Sequence, residues 1–246
     1  MHAARNRLFL AGRLCLLCAL LLAAATAASA GSLVAGGDHT GEDHSFEAHR
    51  NENVPNIILT DAWFVNSVLR FSVFDGAVAI RTDFTSAILR QTSFVGADLT
   101  DATMNLANLR AADFTAALLT GATLTSVNLR GANFGGADLT GATAAGSNFR
   151  NANFGSAILD GVDLSGSNVR NADFRFASFL GADLRGLNNV DPNSFGGAFY
   201  DGNTQFDAGF DTSGMTLVPE PSPMVLMAMG LVGLAAFPRA WRDVSA

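Results

Sequence analysis

A five-residue repeat runs through half of this chain and limits the folds that the chain can adopt. Every fifth position from Leu59 to Leu184 holds Leu, Phe, Met or Val, except Ala79 and Ala144. Two residues before each of these positions stands a small or β-branched residue. A period of five matches neither the 3.6 residues of a helical turn nor the two-residue alternation of a strand. The sequence therefore predicts a backbone that turns once in every unit.

The units resemble those of the pentapeptide-repeat family, in which a small residue, Asp or Asn, and a large apolar residue follow one another. The triplet reads Ala-Asp-Leu at 97–99, Ala-Asn-Phe at 132–134 and Ala-Asp-Leu at 182–184. The resemblance implies an all-β fold, a right-handed quadrilateral β-helix with four units in each coil. In such a coil the large residue fills the centre and the small residue packs at a corner. We expect this solenoid over residues 57–185.

A second period, of twenty residues, supports four units per coil, because residues one coil apart should stack on one face. Three sets of residues keep this interval: Arg70, Arg90, Arg110, Arg130, Arg150 and Arg170; Asn108, Asn128, Asn148 and Asn168; and Gly121, Gly141, Gly161 and Gly181. The array then has about six and a half coils and a length of roughly 31 Å at the spacing of neighbouring strands.

Both ends of such a rod expose unpaired strand edges, which favour end-to-end association unless they are covered. We therefore expect caps on either side of the array. Residues 31–56, an acidic segment with three histidines, are predicted to form a leader and an N-terminal cap. Residues 186–217 are predicted to form a C-terminal cap and a spacer.

The first 30 residues have the pattern of a secretory signal peptide. Arg5, Arg7 and Arg13 precede an apolar run at 14–25, and the small residues Ala28 and Ala30 mark a cleavage site. Cleavage there would remove both cysteines, Cys15 and Cys18, so the exported chain would have no thiol. Between residues 31 and 220 the chain has 21 acidic residues against 10 arginines, a net charge of about −11.

The last 29 residues resemble a PEP-CTERM sorting signal, in which a Pro-Glu-Pro motif, a transmembrane stretch and basic residues follow one another. The motif is Val218, Pro219, Glu220 and Pro221, and an apolar run at 224–237 leads to Arg239 and Arg242. The resemblance implies a transmembrane segment within 218–246 and processing by an exosortase. It also implies a bacterium that has a Gram-negative-type envelope and secretes exopolysaccharide.

The arginine column suggests a binding site for an anionic polymer. Regularly spaced guanidinium groups beside an asparagine column would suit a carboxylated or sulfated polysaccharide. The alternative is a solvated face with local ion pairs, because the neighbouring column is partly acidic. That neighbouring column is Asp113, Asn133, Asn153 and Asp173. The stacked asparagines favour a second structural interpretation, side-chain amide ladders that stabilise the coil.

Three histidines five residues apart, His39, His44 and His49, alternate with acidic residues near the predicted cleavage site. Imidazole and carboxylate groups are transition-metal ligands, so this segment is a weak metal candidate. The spacing of the histidines matches no established ligand motif. It therefore favours a structural interpretation, either a flexible acidic leader or an irregular half-coil in phase with the array.

No arrangement of nucleophile, base and cleft is evident in the repeat, so we predict neither an enzyme nor a cofactor. The sequence favours an exported structural or interaction protein of the cell envelope or extracellular matrix. Its expected partners are an exosortase-type processing enzyme, the membrane, and exopolysaccharide or other envelope proteins, but not nucleic acid. Two alternatives stay open: a DNA-mimicking modulator of topoisomerases, and a metal-binding envelope protein.

Overall fold

The computed structural model describes residues 32–219 and contains a regular four-sided coil. Parallel bridges join residues twenty positions apart without interruption, from Asp38 with Ile58 to Asn168 with Asn188. Each side of the coil contributes only one bridged residue, because two residues of every unit form a turn. The predicted solenoid with four units per coil is confirmed.

Backbone hydrogen bonds explain why five residues form a closed unit. In the unit centred on Leu59, the N–H of Ile58 bonds to the preceding coil at 2.8 Å, and the N–H groups of Leu59 and Asp61 bond to the following coil at 2.7 and 3.0 Å. The N–H of Ala62 closes the turn onto the Leu59 carbonyl at 3.0 Å. Only the N–H of the residue after the large apolar one has no backbone partner, and a buried N–H cannot be left unpaired without cost.

The Asp or Asn of the repeat provides this missing acceptor. Its side-chain oxygen takes the N–H two residues ahead, as Asp98 does from Thr100 at 3.0 Å and Asp163 does from Ser165 at 2.9 Å. These are Asx turns, the local bonds that Asp and Asn make most readily. Where the middle residue of a triplet is Asp or Asn, its side chain can therefore be part of the backbone hydrogen-bond system, as at Asp98 and Asp163.

A residue with positive φ stands at every corner, at each fifth position from 36 to 186. One such residue per turn is the requirement of a type II turn. Glycine meets it without strain, as at Gly121 with φ 68°, but larger residues also occupy corners, including Leu106 and Phe71 with φ 61° and 63°. Each non-glycine corner costs roughly 1–2 kcal/mol, so the stacking of coils must offset that strain.

Large side chains from successive coils stack in columns along the axis. Phe134 lies between Phe114 and Phe154, with ring centroids 4.9 and 4.7 Å apart and the planes nearly parallel. All three rings are fully buried, and the alanines at the small positions are buried beside them. From Leu59 to Leu184 the core is thus one continuous apolar column, to which each coil contributes four central residues, large at all positions but Ala79 and Ala144.

The coil begins before residue 57, so of the two interpretations of the histidine segment the structure favours the coil in phase with the array over the flexible leader. Residues 31–56 were expected to be a leader and cap, but Asp43 already bridges Trp63 and Ala48 bridges Val68 in the twenty-residue register. The apolar period fails there because His39, His44 and His49 occupy the central positions, while the backbone register continues. The solenoid consequently has about seven and a half coils and a length of roughly 36 Å.

After residue 188 the last coil widens into an aromatic closing segment. It contains a 3₁₀ helix at Pro192–Phe195, strand β1 at Phe199–Tyr200 and strand β2 at Thr216–Leu217, and the two strands pair in parallel. Phe195 stacks on Phe174 at 4.9 Å, and Phe210 meets Phe195 edge-on at 5.5 Å. These rings cover the end of the central column.

The two predicted targeting segments lie almost entirely outside the described residues. This applies to the signal-cleavage residues Ala28 and Ala30, and to Glu220 and Pro221 of the sorting motif. Val218 is described, and its N–H bonds to the Tyr200 carbonyl at 2.7 Å. Between residues 32 and 219, no helix has the length and apolar character that a membrane crossing needs.

Candidate functional site: an arginine face

One side of the solenoid carries the arginine column and is called the arginine face below. Its regular part consists of the units at 67–71, 87–91, 107–111, 127–131, 147–151 and 167–171. Bridges from Asn108 to Asn128 and from Asn148 to Asn168 place these units directly over one another. Each arginine stands two residues after the bridged position, so the backbones of successive arginines lie about 4.8 Å apart, the spacing of neighbouring strands.

The structure adds Arg50 to this column, which the sequence analysis missed. The N–H of Asn51 bonds to the Arg70 carbonyl at 3.1 Å, so residues 50 and 70 are one coil apart. The interval of twenty, extended back from Arg70, would have identified it. The column therefore contains seven arginines, from Arg50 to Arg170.

The arginine face is free of acidic residues in its six regular units, although the described residues include many Asp and Glu. The three described arginines outside the column are instead all ion-paired. Arg81 binds Asp61 at 2.7 Å, and Arg175 and Arg185 bind Asp173 and Asp183 at 2.5 Å each. Within residues 32–219, no column arginine has such a partner. The charges of this acidic protein are thus segregated by face.

The alternative interpretation of the column was a solvated face with ion pairs between its arginines and neighbouring acidic residues. Among the described residues, no such ion pair involves a column arginine. Asp113, in the neighbouring column, accepts hydrogen bonds from Thr115 and Asn133. Asp173 is paired with Arg175, whose guanidinium lowers the pKa of that carboxyl. The acidic groups that the sequence suggested as partners are therefore engaged elsewhere.

The asparagine column has a structural role that uses only half of each amide. The Oδ1 atoms of Asn108, Asn128, Asn148 and Asn168 accept the backbone N–H of the arginine two residues ahead, at 3.4, 3.4, 3.2 and 3.1 Å. Amide ladders, which we expected here, occur instead in the neighbouring column, where Asn153 Nδ2 donates to Asn133 Oδ1 at 2.8 Å. The Nδ2 donors of Asn108, Asn128 and Asn148 are not used by the coil.

Exposure differs along the arginine column. Arg50, Arg110, Arg130 and Arg170 are exposed. Arg70, Arg90 and Arg150 are half-buried, and their Nε atoms are shielded from solvent without a hydrogen-bond acceptor. Like charges at this spacing repel by about 1 kcal/mol per pair even in water. A polyanion laid along the column would relieve that repulsion and accept paired N–H bonds from the guanidinium groups.

Of the other predicted site residues, the three histidines come together, and only Val218 and Pro219 of the sorting motif are described. His39, His44 and His49 lie side by side in the first coil and are buried. Val218 and Pro219 lie beyond the aromatic closing segment, and the rest of that motif is outside the described residues.

Comparison with protein families and solved structures agrees with this architecture. The family model for pentapeptide repeats matches eight copies, at residues 59–91, 80–115, 107–143, 117–155 and 157–188. No curated protein matches the chain.

Two solved structures show the same fold at low identity. HetL, a pentapeptide-repeat protein involved in heterocyst differentiation regulation in the cyanobacterium Nostoc sp. strain PCC 7120, is 24% identical, with a TM-score of 0.54 over 69% of this chain and 84% of HetL. QnrB1, a plasmid-mediated fluoroquinolone resistance protein, is 22% identical, with a TM-score of 0.57 over 82% of this chain and all of that chain. At these identities the likeness concerns the fold alone.

Proposed function

Because this chain belongs to the pentapeptide-repeat family, we propose that it is a non-enzymatic scaffold whose arginine face binds anionic polysaccharide in the cell envelope or matrix. One observation carries the proposal: seven arginines form a single column, and the six regular units of that face contain no acidic residue. Elsewhere on the described surface, arginines are paired with aspartates. A column of unpaired guanidinium groups on an acidic rod favours a linear anion as the ligand.

The regular pitch supports a polysaccharide as that anion. The column spacing of about 4.8 Å is close to the length of one sugar residue in an extended chain, so successive carboxylate or sulfate groups can meet successive arginines. Each contact is weak at an exposed site, but linked contacts raise the overall affinity by effective concentration. The Nδ2 donors of the asparagine column add neutral hydrogen bonds for sugar hydroxyls.

The experiment is a binding measurement with carboxylated, sulfated and neutral polysaccharides. Replacing Arg110, Arg130 and Arg150 together by Gln should weaken binding to the anionic polymers at least tenfold and flatten its salt dependence, because three charge-assisted contacts are lost. The matched control replaces Arg81, Arg175 and Arg185 by Gln, which removes the same charge from other faces and should leave the affinity unchanged.

Two results would contradict the proposal. One is equal weakening by both triple variants, which would make the effect one of net charge. The other is the same affinity for neutral and anionic polymers, which would mean that the guanidinium groups do not carry the binding.

Export to the envelope is part of the same proposal and is supported by the two terminal sequences. Residues 1–30 are proposed as a signal peptide, and residues 218–246 as a membrane tether processed by an exosortase-type enzyme. Fractionation of the native host should then find the protein in the envelope or the medium. Replacing Pro219, Glu220 and Pro221 by Ala should keep it in the membrane fraction, whereas a cytosolic location would refute the export proposal.

A topoisomerase modulator that mimics DNA is the second candidate, and the acidic composition supports it. A DNA mimic needs negative charge along its faces, and the arginine column opposes this on one side of the rod. A supercoiling assay with DNA gyrase separates the two candidates. Inhibition or protection of gyrase at micromolar protein would favour the DNA mimic over the polysaccharide scaffold.

A further inference from the structure

The interior of the first coil differs chemically from that of every later coil. Where later coils place Leu, Phe and similar residues at the centre, this coil places His39, His44 and His49, with exposed fractions of only 7%, 1% and 9%. Glu42 and Glu47 stand at the positions that later coils fill with small residues. Burying three imidazole rings in this way is costly unless their hydrogen-bonding groups find partners.

The five side chains form one continuous chain of contacts. Glu42 Oε2 lies 2.8 Å from His39 Nδ1 and 3.2 Å from His44 Nε2. Glu47 Oε2 lies 3.1 Å from His44 Nδ1 and 2.7 Å from His49 Nε2. The His44 ring is held flat on Phe64, with centroids 4.9 Å apart and an angle of 13° between the planes.

His44, at the middle of the chain, cannot satisfy both neighbours as a neutral ring. Both of its nitrogens face carboxylate oxygens, but a neutral imidazole has one N–H donor and one lone pair. One nitrogen would therefore direct its lone pair at a carboxylate, although the His44 ring itself is only 1% exposed. A proton, on the ring or on the carboxyl group, or a metal ion must therefore lie between them.

The hydrogen bonds of His39 decide on which side of His44 a metal ion fits. The backbone N–H of Val34 donates to His39 Nε2 at 3.4 Å, so the proton of this ring lies on Nδ1 and is donated to Glu42. His39 consequently has no free lone pair toward Glu42. Glu42 can then accept a second N–H from His44 Nε2, which leaves the Nδ1 lone pair of His44 directed toward Glu47.

We propose that His44 Nδ1, Glu47 Oε2 and His49 Nε2 bind a divalent transition-metal ion, with zinc as the best match. The three residues offer ligand atoms that all lie within 4.8 Å of one another. Two imidazoles and one carboxylate form a common zinc ligand set, in which a fourth position stays open for water or substrate. The Glu47 side chain is 19% exposed, so solvent has access to that position.

The geometry needs only a small adjustment to accept the ion. Ligand atoms placed about 2.0–2.2 Å from a tetrahedral zinc ion are roughly 3.4 Å apart, compared with about 3 Å for hydrogen-bonded groups. The observed separations of 2.7 and 3.1 Å have to open by a few tenths of an ångström. Glu42, which contacts His44 Nε2, would fix the orientation of the His44 ring. Carboxylate partners of this kind strengthen metal binding by the histidines that they orient.

The competing explanation is a proton-linked polar cap, in which His44 carries two protons and no metal binds. Both explanations account for the buried histidines, so the test must measure the ion itself. The full-length protein, prepared without a histidine tag and stripped with a chelator, is titrated with Zn²⁺ by calorimetry. Co²⁺ absorption in the visible range then reports the coordination geometry.

We expect one Zn²⁺ per chain with micromolar or tighter affinity. His44→Phe, His49→Leu and Glu47→Gln should each weaken binding at least 100-fold, because each removes a ligand. Glu42→Gln should weaken it about 10- to 100-fold as an orienting partner. His39→Leu should change it less than Glu42→Gln, since His39 supplies no ligand atom.

Two controls keep the test decisive. Glu52→Gln changes the corresponding glutamate one unit further along and should leave Zn²⁺ affinity unchanged. His44→Phe extends the phenylalanine column of Phe64 and Phe84, so its circular dichroism should match that of the wild type and loss of the ion cannot be attributed to unfolding.

Three outcomes would overturn the proposal. No uptake at about 100 µM Zn²⁺ would leave the polar cap as the explanation. Equal uptake by the wild type and by His44→Phe would place the ion elsewhere. Loss of binding in His39→Leu but not in His49→Leu would put the ion on the Glu42 side of His44.

Discussion

At the scale of single residues, each position of the five-residue unit has its own physical task. The large residue fills the axis, and the small one leaves room at the corner. The Asp or Asn accepts the N–H of the residue after the large one, which has no backbone partner. Phe134 shows how closely the axis is filled, because its ring is fully buried between two other phenylalanine rings. Loss of one axial ring therefore removes contacts with two neighbouring coils.

Phe134→Ala is expected to destabilise the solenoid by about 3–5 kcal/mol, because it removes apolar burial and leaves a cavity that the rigid coils cannot close. The measurement is denaturant unfolding followed by circular dichroism. The control is Leu106→Ala at a corner that is 64% exposed, where we expect less than about 0.5 kcal/mol. Similar losses for both variants would mean that the phenylalanine column contributes no special stability.

At the scale of elements, the closing segment is attached to the last coils through the carboxylate of Asp201. It accepts the N–H of Gly181 at 2.9 Å and those of Asn203 and Thr204 at 3.1 and 3.0 Å. Burial raises the pKa of Asp201, but these hydrogen bonds outweigh burial and lower the pKa below its ordinary value of 3.8. The ionised carboxylate is therefore the form that holds the closing segment in place.

Acid should loosen this attachment in a defined pH range. A lowered pKa means that the stabilising effect is complete above pH 3.8 and is lost as the pH falls through the lower folded-state value. The protection factor of the Gly181 amide, measured by NMR hydrogen exchange from pH 6 to pH 2 and corrected for the intrinsic exchange rate, should fall at the acid end in the wild type. Asp201→Asn should remove that pH dependence, whereas Asp211→Asn, whose side chain binds only Ser213 among the described residues, should retain it. A fall in protection in Asp201→Asn equal to that of the wild type would contradict the assignment.

At the scale of the whole molecule, the two periods of the sequence have separate consequences. The five-residue period builds the coil, and any whole unit can occupy any side of it. The twenty-residue period decides which side chains share a face, and so creates the arginine column. Foldability and surface function can therefore be separated by deletions of different length.

Deletion of residues 112–116 removes one unit without an arginine and should preserve the coil, while shifting Arg130, Arg150 and Arg170 onto a neighbouring side. Deletion of residues 112–131 removes a full coil and should keep the six remaining arginines in one column. We expect polysaccharide affinity to fall at least tenfold in the first variant and to stay within about threefold of the wild type in the second. Circular dichroism checks that both variants fold. Equal affinity in the two variants would show that alignment of the arginines is not required.

The sequence by itself determined the solenoid, its four sides and most of the arginine column, because both periods are properties of the linear chain. Hydrogen-bonded register then makes residues twenty apart neighbours in space. The need to cover the last strand edge likewise placed a C-terminal cap within residues 186–217.

Only the tertiary structure decided where the coil begins and which charges meet. His39, His44 and His49 do not look like core residues, because hydrophobicity marks a core only when apolar groups fill it. Their burial follows from the backbone register inherited from the next coil, to which each first-coil strand bonds. In the same way, the isolation of the column arginines from acidic partners depends on distances between faces, which a linear pattern does not contain.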